Sequence, residues 1–590
     1  MLNLLRPLRP LLGRAARRPM TFVAVAFVFS TLAFCLLVTP IRWISSDFAG
    51  QQWATNIEPS HSALSAPSAP VKPMYPSGRP FMGSDAKTKL HILLRATQSN
   101  VNICKTLLTM TILGYPNPHI VSWGDRDDVE DLLGGGSHFA KTTGVLGYIN
   151  DEERRKQPGF DGELIILIDS YDIWFQLPVE VLLARYKAIV ADENARVAHR
   201  MGRASVLEGI RSPVIFGAGK RCGPNQMHTV ACYAVPDSPL PMDLHNGNTD
   251  TPIGRNIYSS FRTRYLNSGY MIGPIGAVRP ILETATEKLH DCSDRTGAWF
   301  DNGSRDSDYC YRGSDQSIFA EMFGEQEFHR EVMRRHHRTS LDDWLDSFIS
   351  GRPGSRPPPS QILDAPVNDY LNPAFTHQPL NATYLPGKPF EFGIGLDYWS
   401  LLGHQTSNAE FDSRYVRHDQ PLGPQVGEQG MFDCPARAPM PDDLPEDAPV
   451  LDASHGEPGR WEAMPLYTEI CIGSVPVMVH HNSVDKSWRE RQWNEPWWHG
   501  RSRSLLEERR RAGAKQLIDG ISTDNGTTLR WEELCPREVE KELFRDVEDP
   551  PAPLISPPPS PPPPDSQPDH HQPDPRPPPP PPPNPQPNSP

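Results

Sequence analysis

The chain reads as an α/β protein, a mostly parallel sheet flanked by helices, and three stretches predict this. The first is Gly162-Glu-Leu-Ile-Ile-Leu-Ile-Asp-Ser-Tyr-Asp-Ile-Trp-Phe175. Its apolar run from Leu164 to Ile168 is too short for a membrane span and lacks the alternation of a half-wet strand, so it predicts a strand buried on both faces. The second is Leu90-His-Ile-Leu-Leu94, a helical pattern over 100–113 stopped by Gly114 and Pro116, and His119-Ile-Val-Ser-Trp123, which together make a βαβ unit with a right-handed parallel crossover. The third is Tyr265-Leu-Asn-Ser-Gly-Tyr-Met-Ile-Gly-Pro274, a strand candidate followed by a helix over 277–290.

Before these elements, residues 20–39 form an uncharged, mostly apolar run preceded by Arg6, Arg9, Arg14, Arg17 and Arg18. The length and the flanking arginines predict an uncleaved type II anchor, with 1–19 cytosolic and the rest luminal. A cleavable signal peptide is the competing reading, but the run exceeds an ordinary h-region and no small-x-small site precedes Pro40. Residues 40–86, rich in Ser, Pro and Ala, read as a flexible stem. The sequons at Asn302, Asn381 and Asn525 fit a luminal side, and so do the eight cysteines that lie beyond Cys35 of the anchor. Local spacing suggests the pairs Cys222–Cys232 and Cys292–Cys310, and Cys104 reads as a buried thiol.

A globular domain is expected over 87–500. Within it, Gly134-Gly-Gly136 reads as a loop, 139–149 as a helix, and Leu177-Pro178 as the entry to a helix over 179–189. Pro213-Val-Ile-Phe216 is a short strand and 217–256 is loop-rich. Ser314 is a candidate cap for a helix with Asp315 in its first turn. Residues 330–388 read as a surface insertion. Order resumes at Phe392-Gly-Ile-Gly-Leu-Asp-Tyr-Trp399, breaks over the loop-rich 420–460, and returns at Ser474-Val-Pro-Val-Met-Val-His-His-Asn482. Residues 501–548 read as a basic helical stretch and C-terminal extension, and 549–590 as a disordered proline-rich tail. The 66 prolines and a mean hydropathy of −0.50 agree that much of the chain is not core. The net charge of −14 offers no electrostatic footprint for nucleic acid.

The chemistry gathers at two places. Asp169 and Asp172 follow the buried strand at its carboxyl end, where open α/β sheets place their ligands, and paired aspartates suit a hard divalent cation. An exposed turn with two solvated acids is the bland alternative. Val479-His-His-Asn-Ser-Val-Asp-Lys486 adds an imidazole, an asparagine and a lysine of the kinds that complete such a site and hold phosphate.

The order DSYD, NSGY-x-IG, SDQ, LDY with a following glutamine, and VHHNxxxK resembles the glycosyltransferase domain of the procollagen lysyl hydroxylases and related collagen glycosyltransferases. The resemblance spans 89–326, 392–412 and 475–486 as short motifs, and no hydroxylase segment follows. It implies a GT-A-like, Rossmann-type fold that uses a UDP-sugar and Mn2+ (or Mg2+). By position it makes Asp169, Asp172 and His480 the metal ligands, and it sets Tyr171 and Trp123 against the nucleotide. Asn482 and Lys486 fall in its phosphate-binding loop, and Asp315 with Gln316 in the catalytic pair that holds sugar or acceptor. His481 and Ser483 stand where that family has glycines, and Ser314 replaces an acid.

The expected function is a membrane-anchored glycosyltransferase of the Golgi or endoplasmic reticulum, with its catalytic domain luminal and a glycoprotein or glycan as acceptor. A non-catalytic binding protein on the same fold is one rival. A metal-dependent phosphoesterase is the other, although that chemistry normally asks for a denser ligand set.

Overall fold

The computed structural model describes residues 89–124, 136–227, 229–252, 256–296, 314–346, 348–349, 351–355, 383–426, 434, 436–445, 451–452, 457–458, 460–483 and 485–544. The expected anchor, the stem, the proline-rich tail, Asn302, Asn381 and Cys310 lie outside the described residues. Among the described residues no helix is long and apolar enough to cross a membrane.

β1 (Leu90–Arg95), α1 (Val101–Ile112) and β2 (Pro118–Val121) form the expected unit, with β1 and β2 parallel. The Asn100 side chain caps α1 by accepting the Asn102 and Ile103 amides. β2 ends two residues earlier than expected, because Ser122 adopts a left-handed φ of 64° and turns the chain at Trp123. α2 (Gly136–Ile149) then leads to β3 (Leu164–Ile168), which pairs parallel with β1.

The fully apolar reading of β3 holds. Leu164, Ile166 and Ile168 pack with Ile103 and Leu107 of α1, whereas Ile165 and Leu167 pack with Val145 and Ile149 of α2. Successive side chains of a strand point to opposite faces, so helices on both sides require both registers to be apolar. Each such side chain contributes about 1.5–3 kcal/mol on burial.

β4 (Ile173–Phe175) and α3 (Val179–Met201) follow, and α3 runs past the expected end at 189. β5 (Val214–Gly219), β6 (Tyr265–Pro274), α4 (Ile275–Thr296), α5 (Asp315–His336) and β7 (Ile394–Asp397) complete the centre. β8 (Gly403–Gln405), β9 (Ser413–Val416), β10 (Leu451–Asp452), β11 (Glu457–Pro458), β12 (Leu466–Glu469) and β13 (Met478–His480) make small ladders beside it. After α6 (Lys486–Gln492) and α7 (Ser502–Arg511), β14 (Ile521–Thr523) and β15 (Thr528–Leu529) return to the main sheet. Its order is β15-β14-β2-β1-β3-β6-β5-β7, mostly parallel, with β6 antiparallel to both neighbours.

Three expectations need correction. The insertion does not begin at 330, because α5 continues to His336 with Arg330, Glu331 and Arg334 buried. The extension after 500 does not stand apart, because β14 pairs parallel with β2 and Trp531, Leu534 and Leu543 enter the core. Cys104 is not a free thiol, because it pairs with Cys535. Cys222 and Cys232 pair as expected, and Cys434 with Cys471 makes a third pair at disulfide distance. Ser314 stands before α5 but its side chain makes no capping bond.

Candidate metal centre

β1 connects to β2 on one side, and the chain then returns to place β3 on the other side of β1. Such a switch point opens a crevice at the carboxyl ends of the strands. Asp169 leaves β3 there, its N–H donating to the Gly269 carbonyl at 2.9 Å. The Ser170 hydroxyl donates to the Arg95 carbonyl and ties the turn to the end of β1. Asp172 precedes β4, and β4 pairs antiparallel with β13 in the register His480↔Ile173. The His481 N–H donates to the Asp172 carbonyl at 2.7 Å. A three-residue ladder therefore carries His480 from the far half of the chain to the aspartate turn.

Ligand atoms of Asp169, Asp172 and His480 lie within 4.8 Å of one another. His480 Nε2 is 3.4 Å from Asp169 Oδ2 and 3.5 Å from Asp172 Oδ1. The imidazole packs edge-on against β6 at Gly269, where a Cβ would overlap its Cε1 and Nδ1. That glycine sits in the middle of β6.

A fourth group, Lys141 of α2, was not foreseen. It is 4% exposed, and its ammonium meets Asp169 Oδ1 at 2.8 Å, Asp315 Oδ2 at 3.1 Å and the Ser268 carbonyl at 2.8 Å. Burial opposes its charge, yet Asp169 and Asp315 outweigh that and raise its pKa. Burial likewise works against the Asp169 carboxylate, but Lys141 and His480 hold it well below the usual range. Burial also opposes the His480 imidazolium, and Asp172 with Asp169 overcomes it and raises the ring to about 9.

These residues suit a hard divalent ion. Two carboxylates and an imidazole are donors that Mn2+ and Mg2+ accept. Asp172 Oδ1 is buried without a hydrogen bond, an acceptor left for a cation. Asp169 and Asp315 share Lys141, and Asp172 adds a third carboxylate beside His480, so the cluster is rich in negative charge.

The remaining expected residues divide. Tyr171 is at the site, its hydroxyl receiving the Thr97 N–H at 3.3 Å on the loop after β1. Trp123 lies on the same edge, half-buried at the end of β2. Asp315 arrives, but 3% exposed and paired with Lys141, so its carboxylate is engaged in an ion pair rather than turned to solvent. Gln316 is engaged too: Oε1 receives Asn267 Nδ2 at 2.6 Å, and Nε2 donates to the Gly223 carbonyl. Asn482 clasps the β8 turn, donating to Gln405 Oε1 at 3.1 Å and accepting the Ser407 N–H at 3.0 Å. Lys486 is exposed at the start of α6, whereas Arg489 reaches inward and donates to the Tyr171 carbonyl at 3.1 Å.

Nothing in the sequence marks Lys141 or Arg489. Lys141 is a single lysine on α2 and Arg489 one of three cations on α6, and only the fold shows which of them turns to the metal turn. Asp397 of the LDY segment is structural: it accepts the Leu401 and Leu402 amides and the Tyr270 hydroxyl, and burial raises its pKa. No protein-family model matches the chain, and no curated protein matches it.

Proposed function

We propose that the chain is a metal-dependent glycosyltransferase that takes a UDP-sugar as donor, on a GT-A-like version of the α/β fold. The observation that carries this reading is the convergence of Asp169, Asp172 and His480 at the carboxyl edge of a mostly parallel sheet. The motif order noted in the sequence supports the donor class. A type II anchor at 20–39 and a luminal catalytic domain in the Golgi or endoplasmic reticulum, acting on a glycoprotein or glycan, complete the proposal.

Asp169, Asp172 and His480 Nε2 would hold Mn2+ or Mg2+. Such an ion, when bound, supplies positive charge to a departing diphosphate, which leaves poorly while its charge is uncompensated. Lys141 holds Asp169 and Asp315 in place through three bonds, so the metal-binding carboxylate does not swing into solvent. Lys141 is the cation bonded to the metal turn itself, Arg489 is fixed at the Tyr171 carbonyl, and Lys486, exposed at the start of α6, would reach a phosphate from there. Asp315 serves the site through Lys141, and Gln316 through the Asn267–Gly269 segment that seats His480.

The phosphoesterase rival is less well supported, because among the described residues these three form the single ligand group and supply no second metal. The reading is tested with the purified luminal chain, Mn2+ and a panel of UDP-sugars. Release of UDP with the sugar transferred to an acceptor or to water is expected, and cleavage to UMP and sugar 1-phosphate would favour the rival.

A further inference from the structure

The C-terminal segment 521–535 does more than extend the sheet. β14 lies beside β2, and beyond it the chain turns over the end of β2 at Asp524 and Asn525. Asp524 Oδ2 receives the Ser122 N–H at 2.6 Å, and Oδ1 receives the Trp123 N–H at 3.4 Å. Asn525 Nδ2 donates to the Trp123 carbonyl at 3.1 Å, and the Asp524 N–H donates to the Ile120 carbonyl at 3.0 Å. Ser122 holds a left-handed φ of 64°, a conformation that costs an L-residue free energy and persists where neighbours fix it.

The clamped turn is joined to the metal turn by a continuous path. The Gly124 N–H donates to the Thr97 carbonyl at 2.9 Å, and the Thr97 N–H donates to the Tyr171 hydroxyl at 3.3 Å. Tyr171 stands between Asp169 and Asp172. The same C-terminal segment makes a second contact, at the loop after β1 and the start of α1, where the Leu534 carbonyl receives the Ser99 hydroxyl and Cys535 is joined to Cys104. Two separated contacts thus hold 521–535 against both loops that border the crevice.

We propose that 521–535 is a wall of the nucleotide pocket and that Asp524 is a positioning residue, which sets the Trp123 turn so that the half-buried indole can lie against a nucleotide base. This rests on the donor reading above. An aromatic face at the edge of a crevice accepts a base of any identity by stacking, and its orientation is fixed by the backbone that carries it. The Asp524 carboxylate fixes that backbone, and the disulfide fixes the segment that carries Asp524.

The test compares two probes on the full luminal chain, Mn2+-UDP and Mn2+-pyrophosphate, by calorimetry. Asp524→Ala is expected to weaken UDP about tenfold while leaving pyrophosphate unchanged, because the base contact is lost and the metal site is not. Trp123→Ala should weaken UDP similarly, and the double variant should be no worse than either single one, since both remove one interaction. Asp524→Asn, which keeps one acceptor for the Ser122 N–H, should recover part of the affinity. It also serves as the readable variant if Asp524→Ala does not fold. Equal UDP binding by Asp524→Ala and wild type would overturn the proposal, and so would equal weakening of both probes or additive losses in the double variant. A wild-type chain that binds neither probe defeats the donor reading itself.

Discussion

His480 shows how one imidazole can be set by residues distant in sequence. Its partners Asp169 and Asp172 were legible, because two acids after a fully apolar strand stand out, and so was His480, from its own motif. The residue that seats it was less so: Gly269 is needed because the ring lies where a Cβ would go. Gly269→Ala should displace the ring, weaken Mn2+ binding at least tenfold, and destabilise the fold by about 1–3 kcal/mol as an overpacked site. Titration calorimetry and urea unfolding read the two effects. Lys141 was illegible, because burial of a lysine follows from the carboxylates that surround it and not from its own helix. Lys141→Met should leave the buried Asp315 carboxylate without its lysine, while Asp169 keeps His480, and cost about 3 kcal/mol in urea unfolding. A loss below about 1 kcal/mol would mean that the carboxylate relaxes into solvent. The amides of Gln316 and Asn482 are spent within the protein, Gln316 on Asn267 and the Gly223 carbonyl and Asn482 on Gln405 and the Ser407 N–H, a role that residue type alone does not distinguish from ligand binding.

At the scale of elements, long apolar strands and helices were legible, and short or charged ones were not. β3 and β6 have their expected extents, since five consecutive buried positions in β3 and nine in β6 leave a clear pattern. β4 and β13 are three residues each, too short for periodicity, yet their antiparallel register brings His480 to Asp172. α5 misled for a different reason. Its second half reads as a surface run, but Arg330 is buried against Glu327 and Glu391, and Arg334 against Glu331. Paired charges can be buried when each is bonded, and a sequence shows the charges without the pairing. The Cys104–Cys535 bond was missed because its partners lie at opposite ends of the domain. Replacing both cysteines with alanine should lower stability by about 4 kcal/mol, given the long loop the bond closes. If unfolding in urea is unchanged, the bond does not restrain the unfolded chain as supposed.

For the whole molecule, the α/β class and the mostly parallel sheet followed from three stretches, whereas the sheet's outer edge, β14 and β15, came from a region read as an appendage. The buried histidines give the fold a pH dependence. Burial lowers His119, His245, His329 and His404 to about 4 each. Their ordinary value in the unfolded chain is about 6.5, so between those limits the unfolded state binds more protons. His480, raised to about 9, works the opposite way above pH 6.5, whereas these four rings contribute fully above pH 6.5 and lose that contribution as pH falls towards 4. Each histidine contributes up to about 3 kcal/mol over that window. Urea midpoints measured from pH 7.5 to 4.5 should fall steadily below 6.5, and a flat profile would show that these rings are not held neutral.

The central claim, that Asp169, Asp172 and His480 form a divalent-metal site for a nucleotide-sugar donor, is tested most directly by calorimetry of UDP with and without Mn2+, on the wild-type luminal chain and on Asp172→Ala. UDP binding is expected to depend on Mn2+ in the wild type and to be abolished in Asp172→Ala, with circular dichroism unchanged. UDP binding by Asp172→Ala that matches wild type in the presence of Mn2+, or no Mn2+ dependence in the wild type, would contradict it.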